Sequence, residues 1–132
     1  MLDGTRNPEL YSQWLDYIVD PSVKDAFNYF VGVAAGATRY RCHIQWKGEV
    51  RDFRFYDAAS DEQPHAFIAN KHWLLFYFRP PAVRAGTYDR AVLEADFDSF
   101  FETPAGEWTI KLRSIDDIHR LSRHVRWRLV TP

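Results

Sequence analysis

Polar residues that could bind an anion alternate with apolar residues along two adjacent segments of the chain. The side chains of a strand point alternately to its two faces, so the polar residues of a hairpin would share one surface. Arginine clamps carboxylates and phosphates through paired hydrogen bonds, while histidine and tyrosine add hydrogen bonds or ring stacking. The pattern predicts a surface for an anion, a nucleotide or an acidic peptide, formed by Arg41, His43, Gln45, Arg54 and Tyr56. The alternative interpretation is a solvated sheet face whose charges pair across strands.

Basic residues are also concentrated near the C-terminus, where a helix is expected. A basic helix beside an aromatic ring can contact phosphates and stack on a base. This pattern supports an alternative function, a nucleic-acid-binding accessory protein that uses Arg120, Arg123, Arg126 and Trp127. An amphipathic helix with a solvated basic face would have the same pattern. Acidic residues elsewhere in the chain could pair with this helix and cancel its attraction for nucleic acid.

The histidines show no recognised metal-ligand spacing. His65 and His72 would lie near each other on one hairpin, and His43 could lie beside them if the strand order permits. A histidine cluster can bind a metal, but no cysteine or carboxylate accompanies these residues at a familiar distance along the chain. We therefore expect no metal site and no cofactor.

A metal-dependent phosphodiester hydrolase is the second alternative. Such an enzyme holds acidic residues at strand ends beside a lysine, and Asp52 or Asp57, with Glu107 and Lys111, could supply them,. This spacing is generic, and Cys42 falls on an apolar strand face, where a thiol stays protonated and unreactive. The chain contains neither Gly-x-Ser-x-Gly nor a phosphate-binding glycine loop,. The first hypothesis is therefore a small, non-enzymatic binding or interaction domain without catalytic residues.

The composition is that of a globular protein with many aromatic side chains. Of 132 residues, 46% are apolar and 17% aromatic, and the net charge is −1. These values exclude a disordered chain and give no overall attraction to nucleic acid or an anionic membrane. Cys42 is the only cysteine, so no internal disulfide can form,. Without a signal-like or membrane-spanning apolar run, we expect one cytoplasmic domain over residues 1–132 and no membrane partner.

Two helix-start signals open the chain and predict a helical part over residues 7–37. Asn7-Pro8 and Asp20-Pro21 each place a capping residue before a proline,. The apolar stripes that follow have helical spacing. They consist of Leu10, Tyr11, Trp14, Leu15 and Ile18, and then of Val23, Phe27, Phe30, Val31 and Ala34.

Residues 39–127 are expected to contain the sheet and a final helix. Residues 39–47 alternate cleanly, and Gly48-Glu49 can form a two-residue turn,. The predicted pairs on the apolar face are Trp46 with Arg51, Ile44 with Phe53 and Cys42 with Phe55. On the polar face they are Gln45 with Asp52, His43 with Arg54 and Arg41 with Tyr56. A second hairpin is predicted to join residues 65–69 to 72–78 through an Asn70-Lys71 turn.

The last third of the chain is less regular. Residues 80–87 are predicted to be a loop, and residues 89–102 fit both a helix and a strand, with the helix preferred. Residues 108–113 alternate as a strand, and Ser114 to Asp117 resembles a capping box at the start of a helix,. The predicted fold class is α+β: a mainly antiparallel sheet of about five strands, with an N-terminal helical pair and a C-terminal helix packed on it.

The apolar run from residue 73 to residue 78 predicts a strand that needs cover on both faces,. Helices on both faces, a strongly curled sheet or a second subunit could supply that cover. An uncovered aromatic surface of about 300 Å² would be unusual for a monomer. This favours a homodimer whose interface contains Trp73, Leu75, Phe76, Tyr77 and Phe78.

Overall fold

Two helices lead into an antiparallel sheet in the computed structural model of the chain, which describes residues 1–127. This part of the chain contains five helices and six strands, so the predicted α+β class is confirmed. The helices are α1 (Glu9–Tyr17), α2 (Pro21–Gly36), α3 (Pro80–Ala85), α4 (Arg90–Asp96) and α5 (Ile115–Leu121). The strands are β1 (Tyr40–Lys47), β2 (Val50–Asp57), β3 (His65–Ala69), β4 (Leu74–Phe78), β5 (Phe101–Glu102) and β6 (Trp108–Leu112).

The sheet has the order β1-β2-β3-β4-β6-β5, and each neighbouring pair is antiparallel. The prediction of about five strands missed only β5, whose two residues are too short for a periodic signal. The predicted register of β1 and β2 is confirmed throughout, from Trp46 opposite Arg51 to Arg41 opposite Tyr56. Gly48 has a positive φ of 61° in the turn, a conformation that glycine adopts without a steric penalty,.

The helices pack on one face of the sheet, where large aromatic side chains fill the core. Phe30 on α2 lies 5.5 Å from Phe55, 5.1 Å from Phe67 and 5.9 Å from Phe76, between ring centroids. Trp127 packs 5.6 Å from Phe30, and α5 packs against α2. Strand alternation places one face of β1 to β4 and β6 in this core, except beside the β1–β2 turn, where Trp46 is 44% exposed,.

The capping box at Ser114 is confirmed in a shifted form. The backbone N–H of Asp117 donates to Ser114 Oγ at 3.3 Å, and the Asp117 carboxylate accepts from the backbone N–H of Arg113 at 2.8 Å. Aspartate is shorter than the usual glutamate of this motif. These two bonds fix the chain direction at the start of α5.

Three local predictions are wrong or incomplete. The β3–β4 connection pairs Ala69 with Leu74, so it is a four-residue loop closed by a bond from Asn70 N to Trp73 O of 3.0 Å, not an Asn70-Lys71 turn. Residues 80–87 contain α3. Its two prolines occupy the first two helical positions, where a backbone N–H would have no partner within the helix, so their missing N–H groups cost no helical hydrogen bond,. Residues 89–102 contain the preferred helix and then β5.

The expected cover on both faces of β4 is present on only one. Leu74, Phe76 and Phe78 are fully buried beneath the helices, whereas Leu75 and Tyr77 point to the opposite face and are partly exposed. Within residues 1–127, no helix packs on that opposite face, which we call the open face. None of the described helices has the length and apolar character needed to cross a membrane.

Candidate functional site

The open face brings together all five residues of the predicted anion-binding surface. The hairpin register sets Arg41 opposite Tyr56 and His43 opposite Arg54, with Gln45 next to this pair on β1. These residues occupy the half of the open face that β1 and β2 form. The placement follows directly from strand alternation, but the individual side chains have different roles.

Arg54 is a supporting residue whose charge is already compensated. Its Nε donates to the Asp52 carboxylate, and its Nη1 donates to Tyr56 Oη at 3.1 Å. Asp52 is only 5% exposed, and burial of an unpaired carboxylate is strongly unfavourable,. Arg54 therefore stabilises Asp52 and orients the Tyr56 hydroxyl, and it has little charge left for a ligand.

His43 forms a rigid floor together with Tyr56. The two rings stack with centroids 5.3 Å apart and an interplanar angle of 16°. Burial lowers the pKa of His43, and the nearby charges of Arg6 and Arg54 lower it further. The Gln45 side-chain amide lies 3.0 Å from His43 Nε2, and in its better orientation the amide oxygen accepts from Arg54 Nε at 3.0 Å. His43 is thus a neutral hydrogen-bonding group near pH 7.

A cleft of about 480 Å³ lies above this floor, between the N-terminal segment and the hairpin. The segment is held against β1 by a bridge from Leu2 to Cys42 and by a bond from Asp3 N to Cys42 O of 2.8 Å. This brings Arg6 to the cleft, with its Nη1 3.5 Å from His43 Nδ1. Sequence reasoning missed Arg6 because its segment has no periodic pattern.

Two arginines and two aspartates therefore line the cleft: Arg6, Arg41, Asp3 and Asp61. Arg6 forms no ion pair with a carboxylate within residues 1–127. Arg41 pairs with Asp61, but the two side chains are 59% and 77% exposed. Exposed ion pairs contribute at most about 1 kcal/mol, so a ligand anion could replace Asp61 at small cost.

A second groove, of about 250 Å³, continues across the middle of the open face. Its floor is apolar and consists of Ala66, Ile68 and the ring of Tyr77. The carboxylates at its edges, Asp52 and Glu107, are each bonded to an arginine; the distance from Glu107 Oε2 to Arg79 Nε is 3.0 Å. Burial raises the pKa of Tyr77, and its hydroxyl makes no hydrogen bond within the described part of the chain.

A third groove, of about 530 Å³, ends the open face beside β5 and β6. Leu75 and Thr109 line its inner side, and the exposed ring of Phe101 lies at its outer side. Lys111 Nζ lies 4.2 Å from the centroid of the Trp73 ring, within the range of a cation–π contact,.

The five residues predicted for a homodimer interface do not form one surface. Phe76 and Phe78 are fully buried on the helix side and contact Phe30 and Tyr88, respectively. Trp73, Leu75 and Tyr77 lie on the open face and are half-buried. The reason is again alternation: one continuous apolar run serves two surfaces, and only every second side chain stays accessible.

The basic residues near the C-terminus do not surround an accessible aromatic ring. Trp127 is buried against Phe30 and Tyr40, so its ring is not available to stack on a base. Arg120 pairs with Asp117 at 3.3 Å. Arg123 and Arg126 are exposed, beyond the end of α5.

The residues considered for metal binding and hydrolysis lie apart. In residues 1–127, no three histidine, cysteine or acidic residues are grouped closely enough to hold a metal ion. His43 is on the open face, His65 is in the core, and His72 pairs with Asp20 at 3.0 Å.

The carboxylates of the hydrolase alternative are likewise separated from their lysine. Glu107 lines the second groove and Lys111 the third, while Asp57 pairs with Arg39. Cys42 is buried, which raises the pKa of its thiol to about 12 and leaves it protonated.

Comparison with known proteins finds no match for this chain: no family model, no curated protein and no solved structure is similar to it.

Proposed function

We propose that this chain is a non-enzymatic binding domain, acting in the cytoplasm, that takes an anionic group of a ligand or protein partner into the cleft beside β1. One observation carries the proposal: Arg6 and Arg41 converge on a cleft whose floor is the buried ring of His43 stacked on the half-buried ring of Tyr56. The single, buried cysteine suits a reducing compartment,.

The hydrogen-bonded floor of the cleft favours a binding surface over a solvated sheet face without a ligand. Asp52, Arg54 and Tyr56 are linked by hydrogen bonds, and the His43 ring stacks on the last of them. Side chains held in this way lose little conformational freedom when a ligand arrives, which favours affinity. The exposed arginines at the rim, Arg6 and Arg41, then supply the charge-assisted bonds,.

A neutral His43 also restricts what the cleft can bind. The low pKa of this side chain means that it adds a hydrogen bond without adding a positive charge,. The attraction for an anion therefore depends on Arg6 and Arg41, and removal of either side chain should lower the affinity for the anion.

Calorimetric titration with inorganic pyrophosphate and with citrate tests this proposal. Arg6→Ala and Arg41→Ala should each weaken binding by about tenfold or more, because a charge-assisted hydrogen bond contributes ~1.5–3 kcal/mol. Arg90→Ala is the matched control, since Arg90 is an exposed arginine on α4 that pairs with Glu94 and Glu102. Equal affinities in all three variants, or no saturable binding of either anion up to about 10 mM, would overturn the proposal.

The nucleic-acid alternative has less support. The predicted stacking ring of Trp127 is inside the core and Arg120 pairs with Asp117, so of the four residues predicted for nucleic-acid binding only Arg123 and Arg126 are exposed cations without a carboxylate partner in residues 1–127. Salt-dependent binding of an oligonucleotide that is lost in Arg123→Ala and Arg126→Ala would restore this alternative.

A further inference from the structure

The three grooves lie side by side and cross the sheet from β1 to β6. The strand register defines two rows of open-face residues that run through them. One row is Gln45, Asp52, Ile68, Leu75 and Lys111; the other is His43, Arg54, Ala66, Tyr77 and Thr109. The open face is thus one continuous track, and the proposed anion cleft is only its first part.

The track carries more positive than negative charge. Its lining residues and Arg54 include seven basic and five acidic side chains, whereas the whole chain has a net charge of −1. The basic residues are Arg6, Arg41, Lys47, Arg54, Arg79, Lys111 and Arg113, and the acidic ones are Asp3, Asp52, Asp61, Asp98 and Glu107.

Four of the seven cations of the track have no carboxylate partner in the described part of the chain; three lie at its ends, and the fourth, Lys47, borders the second groove. In the described part of the chain, Arg6 has none at the β1 end, and Lys111 and Arg113 have none at the β6 end. In the middle, Asp52 and Glu107 are already neutralised by arginines. Both ends therefore carry unpaired cations, two against the single carboxylate of Asp98 at the β6 end, whereas the middle has only Lys47 at its edge.

The middle of the track offers an apolar contact instead. Ile68, Leu75 and Tyr77 are half-buried neighbours there, and the Tyr77 hydroxyl has no partner within residues 1–127. A partner that fits this face has acidic groups at two ends and an apolar group between them.

We infer, resting on the proposed function, that the partner is a protein which binds as an extended acidic segment across the open face. Its central apolar side chain contacts Ile68, Leu75 and Tyr77, and carboxylates on either side meet Arg6 and Arg41 at one end and Lys111 and Arg113 at the other. Four strand spacings of about 4.8 Å separate β1 from β6, a span that about six extended residues cover,.

Two other occupants fit the track less well. A nucleic acid carries a phosphate at every nucleotide, and the middle of the track, where Asp52 and Glu107 already occupy the neighbouring arginines, has too few free cations for a continuous row of phosphates,. A second copy of the chain would form a two-fold pair. Because both ends of the track carry unpaired cations, either orientation of that pair sets like charges against each other.

A displayed library of random nine-residue peptides, selected on the immobilised full chain, tests the inference. The enriched peptides should place aspartate or glutamate on both sides of a leucine, isoleucine, phenylalanine or tyrosine. The best peptide, labelled for fluorescence anisotropy, should bind about tenfold more weakly to Leu75→Ser and to Lys111→Glu. Lys71→Glu is the matched control, because Lys71 is exposed in the β3–β4 loop and lies outside the three grooves.

Each other outcome overturns the inference. If no peptide is enriched, or if enriched peptides lack either the acidic or the apolar feature, the extended segment is wrong. If Arg41→Ala abolishes peptide binding while Leu75→Ser and Lys111→Glu do not weaken it, the extended mode fails and the anion cleft stands.

The titrations with pyrophosphate and citrate test anion binding in the cleft independently of the peptides. A dimer in sedimentation equilibrium that Leu75→Ser dissociates would assign the track to a second copy. Tighter binding of an oligothymidine than of any selected peptide would assign it to nucleic acid. A thermal melt of every variant confirms that it is folded.

Discussion

His65 is a fully buried histidine on the helix side of the sheet, away from the proposed binding face. Its ring stacks on Phe76 with centroids 5.3 Å apart, and Nε2 lies 2.9 Å from the Tyr88 hydroxyl. Burial lowers its pKa from 6.5 to about 3, and the charge of Arg39 acts in the same direction. The folded chain therefore holds His65 neutral, whereas the unfolded chain protonates it below pH 6.5.

This difference makes stability depend on acid in a predictable direction. The stabilisation from neutral His65 is complete above pH 6.5 and is lost as the pH falls toward 3, because only the unfolded state takes up the proton,. By pH 4.5 the loss should be about 3 kcal/mol. In urea unfolding at pH 7.5 and pH 4.5, His65→Phe should lose about 3 kcal/mol less between the two pH values than the native chain does. Equal losses would show that His65 is not held neutral.

The candidate site shows which properties of single residues the sequence can predict. Strand alternation predicts that five residues share one face of the sheet, and the register confirms it. They are Arg41, His43, Gln45, Arg54 and Tyr56. The pattern could not show that Arg54 is committed to Asp52 and that Arg6 joins the cleft. Both facts depend on where side chains and an irregular segment lie in three dimensions.

At the level of elements, the β1–β2 hairpin depends on one backbone conformation. Gly48 has a φ of 61°, and an added Cβ would meet no atom within 4 Å, so substitution there changes backbone energy without creating a clash. Gly48→Ala should destabilise the chain by about 1 kcal/mol, because a residue with a Cβ is strained at positive φ. Glu49→Ala, at the next position of the same turn, should change stability by less than about 0.5 kcal/mol. Chemical denaturation measures both, and equal effects would contradict this account of the turn.

The hairpins show which elements the local sequence predicts correctly. In β1–β2 the turn residues and the alternation agree, so the register was predictable,. In β3–β4 the alternation predicts both strands, but the loop is longer than predicted because Asn70 N donates to Trp73 O and closes a four-residue connection. Pro80-Pro81 ended the strand as expected, yet two adjacent prolines also suit the first turn of a helix, and α3 begins there,.

The edges of the sheet have features that direct a partner to the open face. On β1, the backbone N–H of Cys42 donates to Met1 O at 2.8 Å, and Cys42 O accepts from Asp3 N. At the other edge, β5 pairs only with Trp108 and Thr109 of β6, and beyond it the backbone N–H of Lys111 donates to Ser99 Oγ at 2.9 Å. Edge positions bonded in this way are less open to strand addition, which is the usual alternative way for a sheet to bind a peptide.

For the whole molecule, the fold class was predictable and the division of its surface was not. Alternating hairpins and amphipathic stripes indicate an antiparallel sheet with helices packed on it, and that is observed,. The pairing of β4 with β6 joins residues that are 30 (Phe78 and Trp108) to 38 (Leu74 and Leu112) positions apart, and no local pattern specifies it,. Consequently the apolar run of β4 wrongly predicts cover on both faces: Phe76 and Phe78 are covered, whereas Leu75 and Tyr77 stay partly accessible.

A map of backbone amide chemical shifts during titration with inorganic pyrophosphate tests most directly whether the open face is the binding surface. We expect saturable shifts at Arg6, Arg41, His43 and Tyr56, and almost none along α2 and α5, because the anion enters the cleft beside β1. Shifts concentrated at Arg123 and Arg126, or spread without saturation over all exposed basic residues, would contradict the proposed function.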